Sequence, residues 1–157
     1  FSTRPPRVAM IARTLLLLAL SGLTLTACDR VDPNSPLGQR QALFKQMLNT
    51  SEDLGGMLRG RIGFDEQRFA EGAARLDALS RQPWQHFPQV REEDSSARDE
   101  VWQRQERFQQ LARDLEASTA ALVAATTARP LEAKALAAPV DRVEKACKAC
   151  HEEFRIY

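Results

Sequence analysis

The chain has 157 residues, of which 43% are apolar and 27% are charged, a balance that is ordinary for one soluble domain. Its formal net charge is only +1, so it lacks the basic footprint of a nucleic-acid-binding protein. Seven Gly and few β-branched residues favour helices over strands.

The first 27 residues have the organisation of an export signal, so we leave them out of the folded domain. A basic stretch with Arg4, Arg7 and Arg13 precedes an apolar run over residues 15–25, which is too short to span a bilayer comfortably. This pattern predicts that the segment is removed from the mature protein.

The signal ends in Leu25-Thr26-Ala27-Cys28, which resembles the lipobox of bacterial lipoproteins. Cys28 is therefore the predicted lipidation site, and the polar, Pro-containing residues 28–35 would tether the domain to a membrane. The alternative is a simple secreted protein that is cut near Ala27, with Cys28 incidental. Both alternatives predict export.

A first helix is predicted over about residues 36–59. Ser35 followed by Pro36 is a typical helix start, with a capping side chain before a proline at the first position. Gly60 and Gly63 end the pattern. Apolar side chains recur at helical spacing between these limits, at Leu43, Phe44, Met47, Leu48, Leu54, Met57 and Leu58.

The second helix is predicted to begin at Asp65 and to stop near Arg81, because Pro83 follows. Its buried face would be formed by Phe69, Ala73, Leu76 and Leu79. Residues 82–95 read as a loop, and His86 within it is most simply a loop residue with no ligand role.

A long third helix is predicted next. Ser96 and Asp99 resemble a capping box at its start, and Pro130 would end it. Its apolar side chains keep a roughly seven-residue rhythm, at Val101, Phe108, Leu111, Leu115 and Leu122, with Trp102 beside them.

The fourth helix is predicted to begin around Leu131, with Pro139 breaking or kinking it, so that most of it runs from Pro139 to about Arg155. Four amphipathic helices with short links and no strand pattern predict an all-α fold. The expected architecture of residues 36–157 is an antiparallel up-down-up-down four-helix bundle.

Cys147-Lys148-Ala149-Cys150-His151 has the pattern C-x-x-C-H of a c-type haem attachment site. On a helix, Cys147 and Cys150 lie one turn apart on one face, where two thiols can form thioethers with the two vinyl groups of one porphyrin. His151 can then bind the iron as an axial ligand. The motif therefore predicts one covalent haem c.

Two other sites share parts of this pattern, a redox C-x-x-C pair and half of a zinc site. A redox pair would be expected near a βαβ pattern, which the sequence lacks. Zinc would need two further ligands, and the only other Cys and His are Cys28 and His86. With Cys28 lipidated and two Cys on haem, no Cys is left for a disulfide.

About residues 36–157 resemble the cytochrome c′ family, itself an example of the up-down-up-down topology. Three patches carry the resemblance, namely Arg40-Gln41-x-x-Phe44-x-x-Met47, Leu79-x-x-x-Pro83-Trp84 and Cys147-Lys148-Ala149-Cys150-His151-Glu152-Glu153-Phe154-Arg155. The resemblance implies a four-helix fold, a covalent haem and a periplasmic location. The lipobox departs from the usual soluble member of the family.

The resemblance places the residue four after Arg40 against the distal face of the haem, and that residue is Phe44. Phe44 has no ligand atom, which implies a five-coordinate, high-spin iron that binds NO and CO and cycles by one electron. Met47, one turn further along the helix, is the rival, because its thioether would give a six-coordinate, low-spin electron carrier.

The same resemblance puts Arg40 near a haem propionate and Arg155 beside His151, and it includes Gln41 in the haem pocket. It also suggests a homodimer through the first two helices, for which Ala70 and Gly72 would allow close packing. An enzyme would require a distal proton donor, and the first helix offers none near Phe44. We therefore expect a gas-binding or electron-transfer protein with an unidentified redox partner.

Overall fold

The structure is a computed structural model that describes residues 30–157. Its helices are α1 (Pro36–Leu58), α2 (Glu66–Ser80), the single-turn α3 (Glu100–Gln103), α4 (Gln105–Ala125) and α5 (Ala133–Phe154), with a 3-10 turn at Pro83–His86. Within residues 30–157 there is no strand, only an isolated antiparallel bridge between Ala97 and Arg155.

The four long helices form a closed ring of neighbours, in which α1 packs on α2, α2 on α4, α4 on α5 and α5 on α1. Sequential helices run in opposite directions. Asp53 near the end of α1 pairs with Arg68 near the start of α2, and Arg107 near the start of α4 pairs with Glu153 near the end of α5. The predicted four-helix bundle is confirmed.

The predicted signal over residues 1–27 and the predicted lipidation site Cys28 lie outside the described residues. Of the helices described, none combines the length and the apolar character needed to cross a bilayer.

The first two helix starts are built as the sequence predicts. The hydroxyl of Ser35 accepts a hydrogen bond of 3.1 Å from the backbone N–H of Gly38, and Asp65 accepts one of 2.9 Å from that of Arg68. Gly60, with a φ of 73°, provides the left-handed turn that follows α1. The sequence predicts these helix ends correctly because each depends only on residues within one turn of each other.

The predicted third helix is wrong in its first turns. Arg104, with φ −125° and ψ 52°, separates α3 from α4, and the side chain of Asp99 makes no capping hydrogen bond. The carbonyl of Ser96 instead accepts a 2.7 Å bond from the backbone N–H of Ile156. The predicted capping box fails because this segment is paired with the C-terminus of the chain.

Pro139 does not break the fourth helix, which begins at Ala133, close to the predicted start near Leu131, and continues through Pro139. A proline removes the hydrogen bond to the carbonyl four residues earlier. Leu136 and Val140, on either side of Pro139, are only 1% and 4% exposed. Burial of this apolar face offsets the lost bond, so the helix is continuous from Ala133 to Phe154.

Two apolar clusters fill the bundle. The larger includes Phe69, Leu54, Leu122, Leu136 and Val143. The smaller contains Val101, Leu111 and Phe154 and lies where α5 ends. Cys147 packs against the larger cluster and Cys150 against the smaller. The C-x-x-C-H motif therefore lies where the two clusters meet.

Candidate haem site

Cys147, Cys150 and His151 occupy the last two turns of α5, and all three are half-buried. Both thiols are free. Because they pack on different apolar clusters, they face the interior of the bundle. The two thiols, one helical turn apart, therefore lie against apolar surface, as covalent attachment of a haem requires.

Burial raises the pKa of both thiols. The pKa of Cys147 is raised mainly by desolvation and further by Glu144. The pKa of Cys150 is raised to about 11 by desolvation, with smaller contributions from Cys147 and Glu153, against which the charge of Arg107 acts. Since a redox-active Cys depends on an accessible thiolate, these environments disfavour the redox pair.

The imidazole of His151 has a lowered pKa, chiefly because of burial and secondly because of the positive charge of Arg155. It is therefore neutral near pH 7, which is the form that binds iron. Within residues 30–157, no three His, Cys, Asp or Glu side chains are grouped to hold a metal ion by themselves.

Aromatic side chains form a connected cluster beside the thiols. Ring centroids are 6.0 Å apart for Phe44 and Trp84, 5.8 Å for Trp84 and Phe108, and 5.3 Å for Phe108 and Phe154. Phe87 lies 5.0 Å from Phe108, edge to face. The cluster extends from α1 across to α5, and Cys150 packs against its α5 end.

A cavity of about 200 Å³ opens next to this cluster, lined mainly by Trp84, Phe87, Val101, Trp102 and Phe108. Its aromatic walls suit a flat apolar porphyrin. Gln89, Gln105 and Gln109 also line the cavity, whereas the two thiols of the motif do not. A porphyrin is larger than this cavity, so binding it would also part some of the aromatic rings. The two thiols, which pack against the apolar clusters, together with the aromatic cluster fit a haem attached at Cys147 and Cys150.

Phe44 is half-buried and packs edge to face against Trp84. Met47, one turn along α1, is only 6% exposed and belongs to the larger apolar cluster. Gln41 points to solvent, so the structure does not bring this member of the predicted set into the site. Lys45 is likewise exposed.

Arg40 is the most buried charged residue of the site, with 3% of its surface exposed. Its guanidinium donates two hydrogen bonds to the carboxylate of Glu92, at 2.7 and 2.9 Å. It also donates to the hydroxyl of Ser95 at 2.9 Å and to the carbonyl of His86 at 3.0 Å, and stacks 4.6 Å from the ring centre of Phe87. Its partners thus come from the predicted loop.

Arg155, which the resemblance puts beside His151, lies just beyond the last residue of α5. It ends α5 with an extended backbone, φ −115° and ψ 136°, and its exposed guanidinium stacks 5.4 Å from the ring centre of Tyr157. Its carbonyl accepts a 3.0 Å hydrogen bond from Arg98. It nevertheless lies near enough to His151 to lower the pKa of that imidazole.

The sequence reasoning missed several residues of the site. Phe87, Glu92 and Ser95 lie in the predicted loop over residues 82–95, and Phe108 lies in the apolar stripe of the predicted third helix. Glu153, to which the sequence assigns no partner, pairs with Arg107 at 2.7 Å and Arg104 at 3.4 Å. The loop's concentration of aromatic residues beside charged ones was the only available signal, because these contacts join residues far apart in the chain.

The fold and the site together define a four-helix haem protein of the c type. The family model for cytochrome c′ matches residues 35–155. The chain therefore belongs to the cytochrome c′ family, and its cofactor is the covalent haem c of that family.

Several known proteins are similar to the chain. Cytochrome c′ of Rhodopseudomonas palustris is 28% identical over 151 residues, which cover 95% of either chain. A nitric oxide complex of a mutant of cytochrome c prime from Alcaligenes xylosoxidans has a TM-score of 0.72 and 25% identity, over 82% of this chain and 99% of that one. A carbon monoxide-bound variant of the same protein matches with a TM-score of 0.72 and 25% identity, over 82% and 100%.

Proposed function

We propose that this chain is a periplasmic cytochrome that holds its haem c through thioethers at Cys147 and Cys150, with His151 as the axial ligand. The observation that carries the proposal is the placement of both thiols on the inward face of α5, beside the aromatic cluster. Each S–H would add across a vinyl group, with sulfur bonding one carbon and hydrogen the other. The addition therefore needs no oxidant.

We further propose that the iron is five-coordinate and binds small diatomic gases, NO and CO, besides cycling by one electron. Phe44 offers no ligand atom, and its contact with Trp84 gives the distal side an apolar, aromatic lining. Such a lining gives no hydrogen bond to a polar ligand such as bound O2, whereas NO and CO need none. The NO and CO complexes of a similar protein support this proposal.

The second candidate is a six-coordinate electron carrier with Met47 as the other axial ligand. One observation favours it. Met47 is buried in the same apolar cluster against which Phe44 and Cys147 pack, so its thioether is already inside the bundle. Packing is the commoner role for a buried Met, and the five-coordinate proposal keeps Met47 in that role.

The two candidates are separated by a pair of variants, Met47→Leu and Phe44→Met, examined by absorption spectroscopy of the ferrous and ferric forms. The five-coordinate proposal expects a high-spin spectrum that Met47→Leu leaves unchanged. It expects Phe44→Met to convert the iron to a low-spin, six-coordinate form, because a thioether replaces the phenyl ring. A low-spin wild-type spectrum that Met47→Leu abolishes would overturn it in favour of the electron carrier.

We also propose that Cys28 is lipidated and anchors the domain to a membrane. The motif Leu25-Thr26-Ala27-Cys28 carries this proposal. Cell fractionation tests it, since Cys28→Ser should move the protein from the membrane to the soluble periplasmic fraction. A wild-type protein that is already soluble would exclude the anchor.

A further inference from the structure

The guanidinium of Arg40 has almost no hydrogen-bonding capacity left for a ligand. One terminal nitrogen donates to His86 and Glu92, and the other donates to Glu92 and Ser95. An arginine has five N–H donors, so these four bonds use all the terminal ones and leave only Nε–H. The partner that occupies Arg40 is the segment from His86 to Ser95.

We call residues 86–98 the strap. Its first part contacts the aromatic cluster, because the ring of Phe87 packs edge to face against that of Phe108. The carbonyl of Pro88 also accepts a 2.6 Å hydrogen bond from the indole of Trp102. Within the strap, Arg91 donates to the carbonyls of Ser95 and Ala97, at 3.0 and 2.7 Å. These bonds tie the middle of the strap to its last part.

The last part of the strap is paired with the C-terminus of α5. The backbone N–H of Arg98 donates to the carbonyl of Phe154 at 2.8 Å, and that of Ile156 donates to the carbonyl of Ser96 at 2.7 Å. Phe154 follows His151 by three residues, and Arg40 precedes Phe44 by one helical turn. The strap thus joins the helix of the distal residue to the helix of the axial histidine.

We propose that Arg40 and Glu92 are positioning residues that couple the two faces of the haem site through the strap. Their bidentate contact holds the strap against α1. The strap in turn fixes Phe87 in the cavity wall and holds the end of α5 that carries His151. This inference rests on the proposed five-coordinate, gas-binding function and specifies how the chain controls that site.

The test compares Glu92→Gln with Glu93→Gln in the full-length holoprotein. Glutamine keeps the shape of the side chain and removes the charge that Arg40 binds, while Glu93 is an exposed neighbour. Three readouts are measured, namely the Fe–His stretching band of the ferrous protein, the CO association rate after flash photolysis and backbone hydrogen exchange.

We expect Glu92→Gln to shift or broaden the Fe–His band, to speed CO association severalfold and to accelerate exchange at the amides of Arg98 and Ile156. Glu93→Gln should match the wild type in all three. Ser95→Ala, which removes one bond and keeps the ion pair, should give a smaller change in the same direction. The same three measurements on Ser95→Ala test the proposal if Glu92→Gln does not fold.

A merely structural role for the pair would lower the unfolding midpoint of Glu92→Gln and leave the Fe–His band and the CO rate unchanged, which would overturn the coupling. Failure of the proposed function looks different, because wild type and Glu93→Gln would then also fail to bind CO. In that case hydrogen exchange still tests the coupling. Unaltered exchange at the amides of Arg98 and Ile156 in Glu92→Gln would contradict the proposal that the Arg40–Glu92 contact holds the strap and the end of α5.

Discussion

The two sides of the haem site are held by different kinds of contact. On the side of α5, the thiols and the imidazole are positioned by a single helix, since Cys147, Cys150 and His151 lie within two turns. On the side of α1, Arg40 is held by groups that lie 46 to 55 residues further along the chain. The first side should therefore tolerate changes elsewhere in the protein, whereas the second depends on the strap.

The largest effect should come from the local side. Replacing both Cys147 and Cys150 by Ser should abolish covalent haem, because no thioether can then form. The measurement is haem staining of the denatured protein, with Cys28→Ser as the control that keeps its haem. Covalent haem in the double variant would contradict the proposed attachment.

On the other side, Arg40→Leu should lower the free energy of unfolding by about 3 kcal/mol, because it leaves the partly buried carboxylate of Glu92 without its partner. Arg68→Leu is the matched control, since it breaks the exposed pair with Asp53 and should cost less than about 1 kcal/mol. Denaturant unfolding of both variants gives the comparison. Equal costs would show that the Arg40 contact is no more important than a surface ion pair.

The same contact predicts a pH dependence of stability. Hydrogen bonds from Arg40 lower the pKa of Glu92 below its ordinary value of 4.5. Because the folded pKa is the lower one, the ionised carboxylate stabilises the fold above about pH 4.5, and this contribution is lost as the pH falls through the folded pKa.

The free energies of unfolding of wild type and Glu92→Gln, measured against pH, check this sign. The gap between the two proteins should be constant near neutral pH and should shrink on acidification. A gap that widens below pH 4.5 would be inconsistent with the lowered pKa.

The smallest expected effect distinguishes two neighbouring serines. Ser95→Ala should destabilise the protein by about 1 kcal/mol, because the buried hydroxyl accepts from Arg40 and from the N–H of Ala97. Ser96→Ala should stay within about 0.5 kcal/mol, since Ser96 uses its backbone carbonyl in the contact with Ile156. A lower thermal midpoint for Ser96→Ala than for Ser95→Ala would instead support the predicted capping role of the Ser96 side chain.

The contrast between the two sides also explains what the sequence predicts and what it does not. The caps at Ser35 and Asp65 and the C-x-x-C-H motif involve residues within one turn of each other, so spacing alone identifies them. Apolar periodicity likewise predicts the four long helices. Each of these signals is local in the chain.

The remaining features arise from contacts between distant segments. The pairing of Ser96 with the C-terminus takes the place of the predicted capping box. The continuity of α5 through Pro139 accompanies the burial of Leu136 and Val140. The pairing of Arg40 with Glu92 is of the same kind. Glu92 stands beside two other acidic residues, Glu93 and Asp94, in the sequence. Only the fold therefore shows which of the three carboxylates binds Arg40.

The most direct measurement is a resonance Raman spectrum of the purified ferrous protein, recorded before and after CO is added. We predict a five-coordinate, high-spin haem with an Fe–His band from His151, which CO converts to a six-coordinate complex. A six-coordinate, low-spin haem before any gas is added would contradict it, and would show that the distal position belongs to a side chain of the protein.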